Sequence, residues 1–270
     1  MDGPRPLERR GGKFENIEMQ TLFGNLEQIA IERIHLFEPS ALAKRAAGYY
    51  VAYSGGKDSD VILDLVRRSG VKYTAHYNVT TCDPPELIRH IRNQSDVIFE
   101  KPPMTMWQLI KKKGMPPRRN IRFCCEKLKE RGGIGAMVVT GVRWEESSRR
   151  KSRQMIETCF RHEGKQFLNV IIDWTSTDVW NYLRQQGISY CSLYDEGFRR
   201  LGCVLCPMER DVERQIQRWP HIARLWEKAI KATFKPGISS FDSAEDLWLW
   251  WLDRDSKRKK ETGQMMFFTD

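Results

Sequence analysis

Apolar residues recur along the chain in short blocks of two alternating kinds. From Asn25, the residues Leu26, Ile29, Ala30, Ile34 and Phe37 keep helical spacing on one face. Asn25 serves as N-cap, Gln28 as its capping-box partner, and Pro39 follows the end. The unbroken apolar run at 48–53 predicts a buried strand that runs into Ser54-Gly55-Gly56-Lys57-Asp58-Ser59. Val61, Ile62, Leu65 and Val66 then predict a helix that stops near Gly70. Further strands are expected at 71–79, 96–99, 136–140 and 170–172, with helices at 85–92, 126–131 and 175–186. In the last of these, Val179, Trp180 and Leu183 face inward. Beyond residue 211 the pattern is helical and rich in tryptophan (Trp219, Trp226, Trp248, Trp250, Trp251), ending in a basic run at 257–260. Strands alternating with helices predict a doubly wound α/β fold: a mostly parallel sheet covered on both faces, with an N-terminal helix and an α-helical C-terminal appendage.

Composition narrows the class. A chain of 270 residues with 40% hydrophobic and 11% aromatic residues is not a disordered polymer. No apolar run approaches the ~18–20 residues of a membrane span. The N-terminus lacks the apolar core of a signal peptide, so a cytoplasmic protein without a membrane partner is expected. Lys and Arg number 45 against 35 Asp and Glu, a net charge of +10, which favours an anionic partner, nucleotide or nucleic acid. The polar, mixed-charge stretch 1–20 is expected to be partly disordered.

Ser54–Ser59 occupies the turn from strand into helix, where ligands collect in an open parallel sheet. Gly55 and Gly56 permit positive φ and close backbone approach. The N–H groups at the helix start can then hold phosphate oxygens. Ser54 and Ser59 add hydroxyls, and Lys57 adds charge. Asp58 braces the loop or helps to hold Mg²⁺. The loop is not a Walker A sequence, because Lys57 is followed by Asp and the glycine spacing differs.

Seven cysteines in a chain without a signal peptide argue against a disulfide framework. Four form two pairs, Cys124-Cys125 and Cys203-x-x-Cys206, enough thiolates for tetrahedral zinc or an iron–sulfur cluster. Adjacent cysteines suit the separate iron corners of a cluster better than a single zinc. Arg118, Arg119, Arg122 and Lys127 surround the first pair with positive charge, which favours thiolates. Four reduced thiols and a zinc site remain the plainer alternatives. Cys82 reads as core or as a wall of an adenine pocket.

The loop Ser-Gly-Gly-Lys-Asp-Ser resembles the pyrophosphate loop of the adenine-nucleotide α-hydrolase (PP-loop) superfamily. Three further stretches make the chain resemble the phosphoadenosine phosphosulfate (PAPS) reductase family: Thr140-Gly141-Val142-Arg143-Trp144-Glu145-Glu146-Ser147-Ser148-x-Arg150, residues 173–180, and Tyr194-Asp195-Glu196-Gly197-Phe198-x-Arg200-Leu201-Gly202-Cys203-x-x-Cys206. The resemblance implies an adenine nucleotide α-hydrolase-like domain at 47–210, between an N-terminal helical segment (1–46) and the helical appendage (211–270). It implies an adenine nucleotide, ATP with Mg²⁺, bound by Tyr53, Ser54, Gly55, Gly56, Lys57, Asp58, Ser59, Gly141, Arg143 and Arg150. Among these, Ser54, Lys57, Asp58 and Arg143 are the expected catalytic residues. It also implies a [4Fe–4S] cluster on Cys124, Cys125, Cys203 and Cys206.

Two departures are expected to matter. Reductases of the family carry a catalytic cysteine in a C-terminal tail, whereas this sequence has no Cys after Cys206. They also tend to carry a degraded loop, which here is intact. Both point toward ATP-cleaving relatives that insert sulfur into RNA or DNA. The leading expectation is therefore an ATP pyrophosphatase/sulfurtransferase. An acceptor oxygen attacks the α-phosphate, pyrophosphate leaves, and sulfur then replaces the adenylated oxygen. Nucleic acid is the expected acceptor, a cysteine desulfurase is an example of the sulfur donor, and a homodimer is one option for assembly. By resemblance, DNA phosphorothioation, tRNA thiolation, CRISPR-associated (CysH-like) and phage-defence settings fit such a protein. The alternatives are an APS or PAPS reductase using an external thiol, and a catalytically silent nucleic-acid-binding or scaffold module.

Overall fold

The computed structural model describes residues 20–21 and 24–253, so the basic run 257–260 and, apart from Gln20, the stretch 1–20 expected to be partly disordered lie outside the described residues. A short antiparallel ladder, β1 (Gln20–Thr21) with β2 (Gly24–Asn25), leads into helix α1 (Leu26–Lys44). Asn25 caps α1, its side chain accepting the Glu27 N–H at 2.9 Å. Gln28 closes no capping box and donates instead to Glu32 at 3.0 Å. Pro39 does not end the helix but sits inside it. It lies on the exposed side, where water can serve the carbonyl left without an amide donor, while Ala41 re-anchors the last turn in the core.

The central sheet has six strands in the order β5-β4-β3-β6-β8-β7. Strand β3 (Tyr49–Ala52) pairs in parallel with β4 (Tyr73–Asn78) on one side and β6 (Met137–Val139) on the other. Strand β5 (Val97–Glu100) extends the sheet beyond β4, and β8 (Gln166–Leu168) extends it beyond β6, both in parallel. The edge strand β7 (Ile156–Thr158) runs antiparallel to β8. Helix α2 (Lys57–Ser69) connects β3 to β4, and α3 (Pro85–Arg92) connects β4 to β5. The chain thus crosses to opposite sides of β3, and the crevice at the carboxyl ends of β3 and β6 is the switch point of the sheet. This is the doubly wound, mostly parallel α/β fold that the pattern predicts.

Four local expectations are corrected. The strand placed at 170–172 lies earlier, as β8. Asn169 ends the ladder because its buried side chain turns to the Gln154 carbonyl (2.7 Å) and to Thr140. Val170, Ile171 and Ile172 stay buried without pairing as a strand. Strand β7 was not anticipated, since three half-buried or exposed residues carry little apolar signal. Helix α4 (Met106–Lys113) was not anticipated either, and a capping box between Thr105 and Gln108 starts it. Its lysines 111–113 form its exposed last turn. Finally, the helix expected at 126–131 is a π-turn, Cys125–Lys129.

Helix α5 (Ser176–Gln185) buries Val179, Tyr182 and Leu183, whereas Trp180 is only half-buried. The C-terminal helices α6 (Val212–Arg218), α7 (Pro220–Lys231) and α8 (Ala244–Leu252) share the core of the sheet. Trp226, fully buried on α7, meets Trp107 of α4 edge-on at 5.3 Å and stacks on Trp251 at 4.9 Å. Its indole N–H donates to the Val204 carbonyl at 2.9 Å. Truncation of such a residue costs about 3–5 kcal/mol. No helix among the described residues is long and apolar enough to cross a membrane.

Candidate active site

The glycine loop sits at the carboxyl end of β3, at the switch point. Gly55 has φ +72, and a Cβ there would lie 2.6 Å from Ile91 Cγ1 and 2.7 Å from Leu87 Cδ1 of α3. Backbone conformation and the close approach of α3 therefore both demand glycine. Ser54 Oγ donates to Ser59 Oγ at 3.2 Å, and Ser59 Oγ donates to the Gly56 carbonyl at 2.7 Å, which closes the loop on itself. The Lys57 N–H donates to the Tyr194 hydroxyl at 3.0 Å. Tyr194 is caged by Trp180 and Tyr190, edge-on at 5.1 and 6.3 Å. Sequence reasoning quoted Tyr194 only as part of a motif and gave it no role.

Cations and carboxylates alternate across the loop mouth. Lys57 Nζ lies 2.9 Å from Asp58 Oδ2, and Arg143 Nε lies 2.6 Å from Asp58 Oδ1. Arg143, nearly buried, also holds Glu145 at 3.0 Å and the Trp174 carbonyl at 3.2 Å. Arg150 pairs with Glu146, whose carboxylate also accepts the Arg143 N–H at 3.0 Å. Gly141 lets this segment close on the loop, because a Cβ there would lie 3.0 Å from the Asp58 carbonyl oxygen. Burial lowers the Lys57 ammonium below its ordinary value, and Asp58 opposes that shift. Burial also lowers Arg150, followed by repulsion from Arg200. Thus Ser54, Gly55, Gly56, Lys57, Asp58, Ser59, Gly141, Arg143 and Arg150 come together. Tyr53 does not face the mouth. Its buried hydroxyl donates to Asp60 Oδ1 at 2.5 Å, and His90 Nε2 lies 2.9 Å from the same oxygen. This network ties β3, α2 and α3 together beneath the loop.

Cys124, Cys125, Cys203 and Cys206 line one cavity with Thr80, Met106, Lys129 and Trp226. Two separate segments supply the cysteines, the π-turn and the loop before α6, and a third, the turn after β4, packs against them. The Val204 N–H donates to the Cys82 carbonyl at 2.8 Å and so fastens the loop before α6 to the turn after β4. Two non-glycine residues with positive φ, Thr81 (68°) and Leu205 (55°), shape these turns. Each conformation costs about 1–2 kcal/mol. It is held by Thr81 Oγ1 accepting the Met106 N–H at 2.8 Å and by the Leu205 N–H donating to Gln215 at 2.6 Å.

The thiols are polarised. A hydrogen bond from Cys124, aided by Lys129 and Arg122, brings Cys125 down to about 6, while Cys124 is pushed up. Cys203 is lowered by a hydrogen bond from the fully buried Cys82, then by Lys129. Cys82 therefore lies buried behind the chamber wall, its thiol 3.5 Å from the Thr80 Oγ1 that Cys203 also meets at 3.4 Å, a place its isolated position in the sequence concealed. The donor chemistry, four thiols facing one space beside cations, fits soft-metal or cluster ligation. Among the described residues no three Cys, His, Asp or Glu side chains converge to hold a single metal ion.

The profile of the phosphoadenosine phosphosulfate reductase domain matches residues 48–209, more than half of the chain. The chain belongs to this family. Relatives of this PAPS reductase family chain include an uncharacterized protein of Methanocaldococcus jannaschii. It is 28% identical over 217 residues, covering 74% of this chain and 45% of the relative. The adenosine 5'-phosphosulfate reductase of Bacillus anthracis is 26% identical over 182 residues, covering 62% and 80%. The chain spans about half the length of the archaeal relatives it matches. A solved PAPS reductase from Candida auris, a phosphate complex, aligns with a TM-score of 0.47 at 18% identity, covering 66% of this chain and 94% of that one.

Proposed function

We propose that this chain binds ATP with its β- and γ-phosphates in the Ser54–Ser59 loop, cleaves it between the α- and β-phosphates, and supports sulfur transfer to nucleic acid. The carrying observation is the Lys57–Asp58–Arg143 arrangement at the switch point. Asp58 is engaged by two cations, so it braces the mouth rather than repelling phosphate. An acceptor oxygen attacks the α-phosphorus, and negative charge builds on the departing pyrophosphate. The loop amides of Gly55, Gly56 and Asp58 and the Lys57 ammonium meet that charge, with Arg143 holding Asp58 back as Lys57 turns to phosphate. Arg150 clamps a second anionic group. Mg²⁺ brought with ATP supplies further charge neutralisation. A [4Fe–4S] cluster on Cys124, Cys125, Cys203 and Cys206, when bound, supplies a place to hold sulfide, with a cysteine desulfurase as a suitable donor.

Pyrophosphate release from ATP with candidate acceptors tests the first half. The reading expects release that the double substitution Ser54→Ala, Lys57→Ala abolishes, and no release with any acceptor overturns it. Anaerobic metal and sulfide analysis tests the second half. Iron with acid-labile sulfide supports the cluster, and a colourless zinc protein refutes it. The Bacillus relative favours a second reading, reduction of APS or PAPS by an external thiol. Sulfite formed from either substrate would establish that instead.

A further inference from the structure

A second cavity, about 360 Å³, lies outside both the glycine loop and the cysteine chamber, between residues 197–200 and the start of α6. Arg199, Arg200, Arg210 and Arg214 line it. The first three are exposed, and among the described residues none of them is in an ion pair. Arg214 lays its guanidinium over the Phe198 ring at 4.0 Å and donates to the Glu196 carbonyl, with the Glu196 carboxylate, held by Arg218, nearby. The two acids in the groove are turned to backbone. Glu209 accepts the N–H groups of Arg210 and Asp211 at 2.8 and 3.1 Å, and Asp211 accepts that of Arg214 at 3.3 Å. Four guanidinium groups thus line the groove against two carboxylates, which leaves it with an excess of positive charge.

The groove adjoins the loop mouth through Tyr194, whose carbonyl accepts the Gly197 N–H at 3.0 Å while its hydroxyl accepts the Lys57 N–H at 3.0 Å. Arg149 and Lys151, which flank Arg150 in the sequence, are exposed as well. This is more cationic surface than one nucleotide needs, and its guanidinium forks match phosphate oxygens.

We propose that this groove docks the phosphodiester backbone of a single polynucleotide strand and feeds one nucleotide to the loop mouth. The inference rests on the reading above and names the acceptor's binding surface. A single strand is favoured over a duplex because chemistry on one nucleotide requires it to leave the stack.

The test is fluorescence anisotropy of the full chain with 20-nucleotide single strands of DNA and of RNA, across a salt series. Arg199→Ala with Arg210→Ala should weaken binding of at least one strand type tenfold or more. It should also flatten the slope of log affinity against log salt by about 1.4, roughly 0.7 per lost phosphate contact. ATP affinity should stay within about twofold, which shows that the fold and loop are intact. Arg199→Lys with Arg210→Lys should restore most of the affinity. Changing lysines 111, 112 and 113 on α4 to alanine should leave it unchanged. Unaltered strand binding in the Arg→Ala variant, an equal loss in the α4 variant, or tighter binding of a 20-base-pair duplex would overturn the proposal. ATP cleavage is not read in this assay, so failure of the groove and failure of the adenylation reading are separable.

Discussion

The glycine loop and the cysteine chamber are adjacent sites built in opposite ways. The loop is six consecutive residues whose conformation follows from one strand, one helix and Gly55 at φ +72. Each residue carries its own reason for being there. The chamber is assembled from three distant segments, with Thr81 and Leu205 held at positive φ by hydrogen bonds from elsewhere. Glycine supplies the unusual backbone at no strain in the first site, while long-range contacts impose it in the second. The backbone of the loop is therefore encoded locally, and thiol placement depends on the finished fold.

Substitutions can break that contrast. The largest effect should come from Ser54→Ala with Lys57→Ala, which is expected to cut ATP cleavage by at least about a hundredfold by removing donors to the leaving group. The thermal midpoint should barely move, as a melt would reveal. Gly55→Ala should cost about 2–4 kcal/mol in denaturant unfolding, combining positive-φ strain with a Cβ driven against Ile91 and Leu87. Thr81→Gly is the counterpart. It relieves about 1–2 kcal/mol of strain but loses one hydrogen bond and adds chain entropy, so stability should change by less than about 1 kcal/mol. A large loss there would mean that the chamber, too, is locally encoded.

A pH series sharpens the same point through Lys57. Its folded pKa lies below the ordinary 10.5 because of burial. The cost of burying its charge is thus present in full at neutral pH. It is relieved as pH rises through the lowered value toward 10.5, because there the unfolded chain binds more protons. Stability should rise slightly across that window while nucleotide affinity falls several-fold. Lys57→Arg should remove the fall in affinity, as titration of binding against pH would show.

The same division governed what could be read from the sequence. The strand at 48–53, the helix beginning at Pro85 and the loop were legible because apolar period and glycine position are local signals. Pro39 misled, since a proline on an exposed helix face need not end the helix. Residues 170–172 misled because a buried apolar triplet looks the same whether or not it pairs. The four cysteines were legible as a set from their spacing. Cys82 and Lys129 were not, because only the Cys82–Val204 backbone bond and the π-turn bring them behind and into the chamber wall. Tyr194 likewise reaches Lys57 across 137 positions of sequence.

The central claim concerns which phosphate bond breaks. Incubating the full chain with α-labelled ATP, Mg²⁺ and a polynucleotide acceptor, then separating the products, measures that directly. The account predicts labelled AMP or a labelled adenylate together with pyrophosphate, lost in the Ser54→Ala, Lys57→Ala variant. Labelled ADP with inorganic phosphate would contradict it.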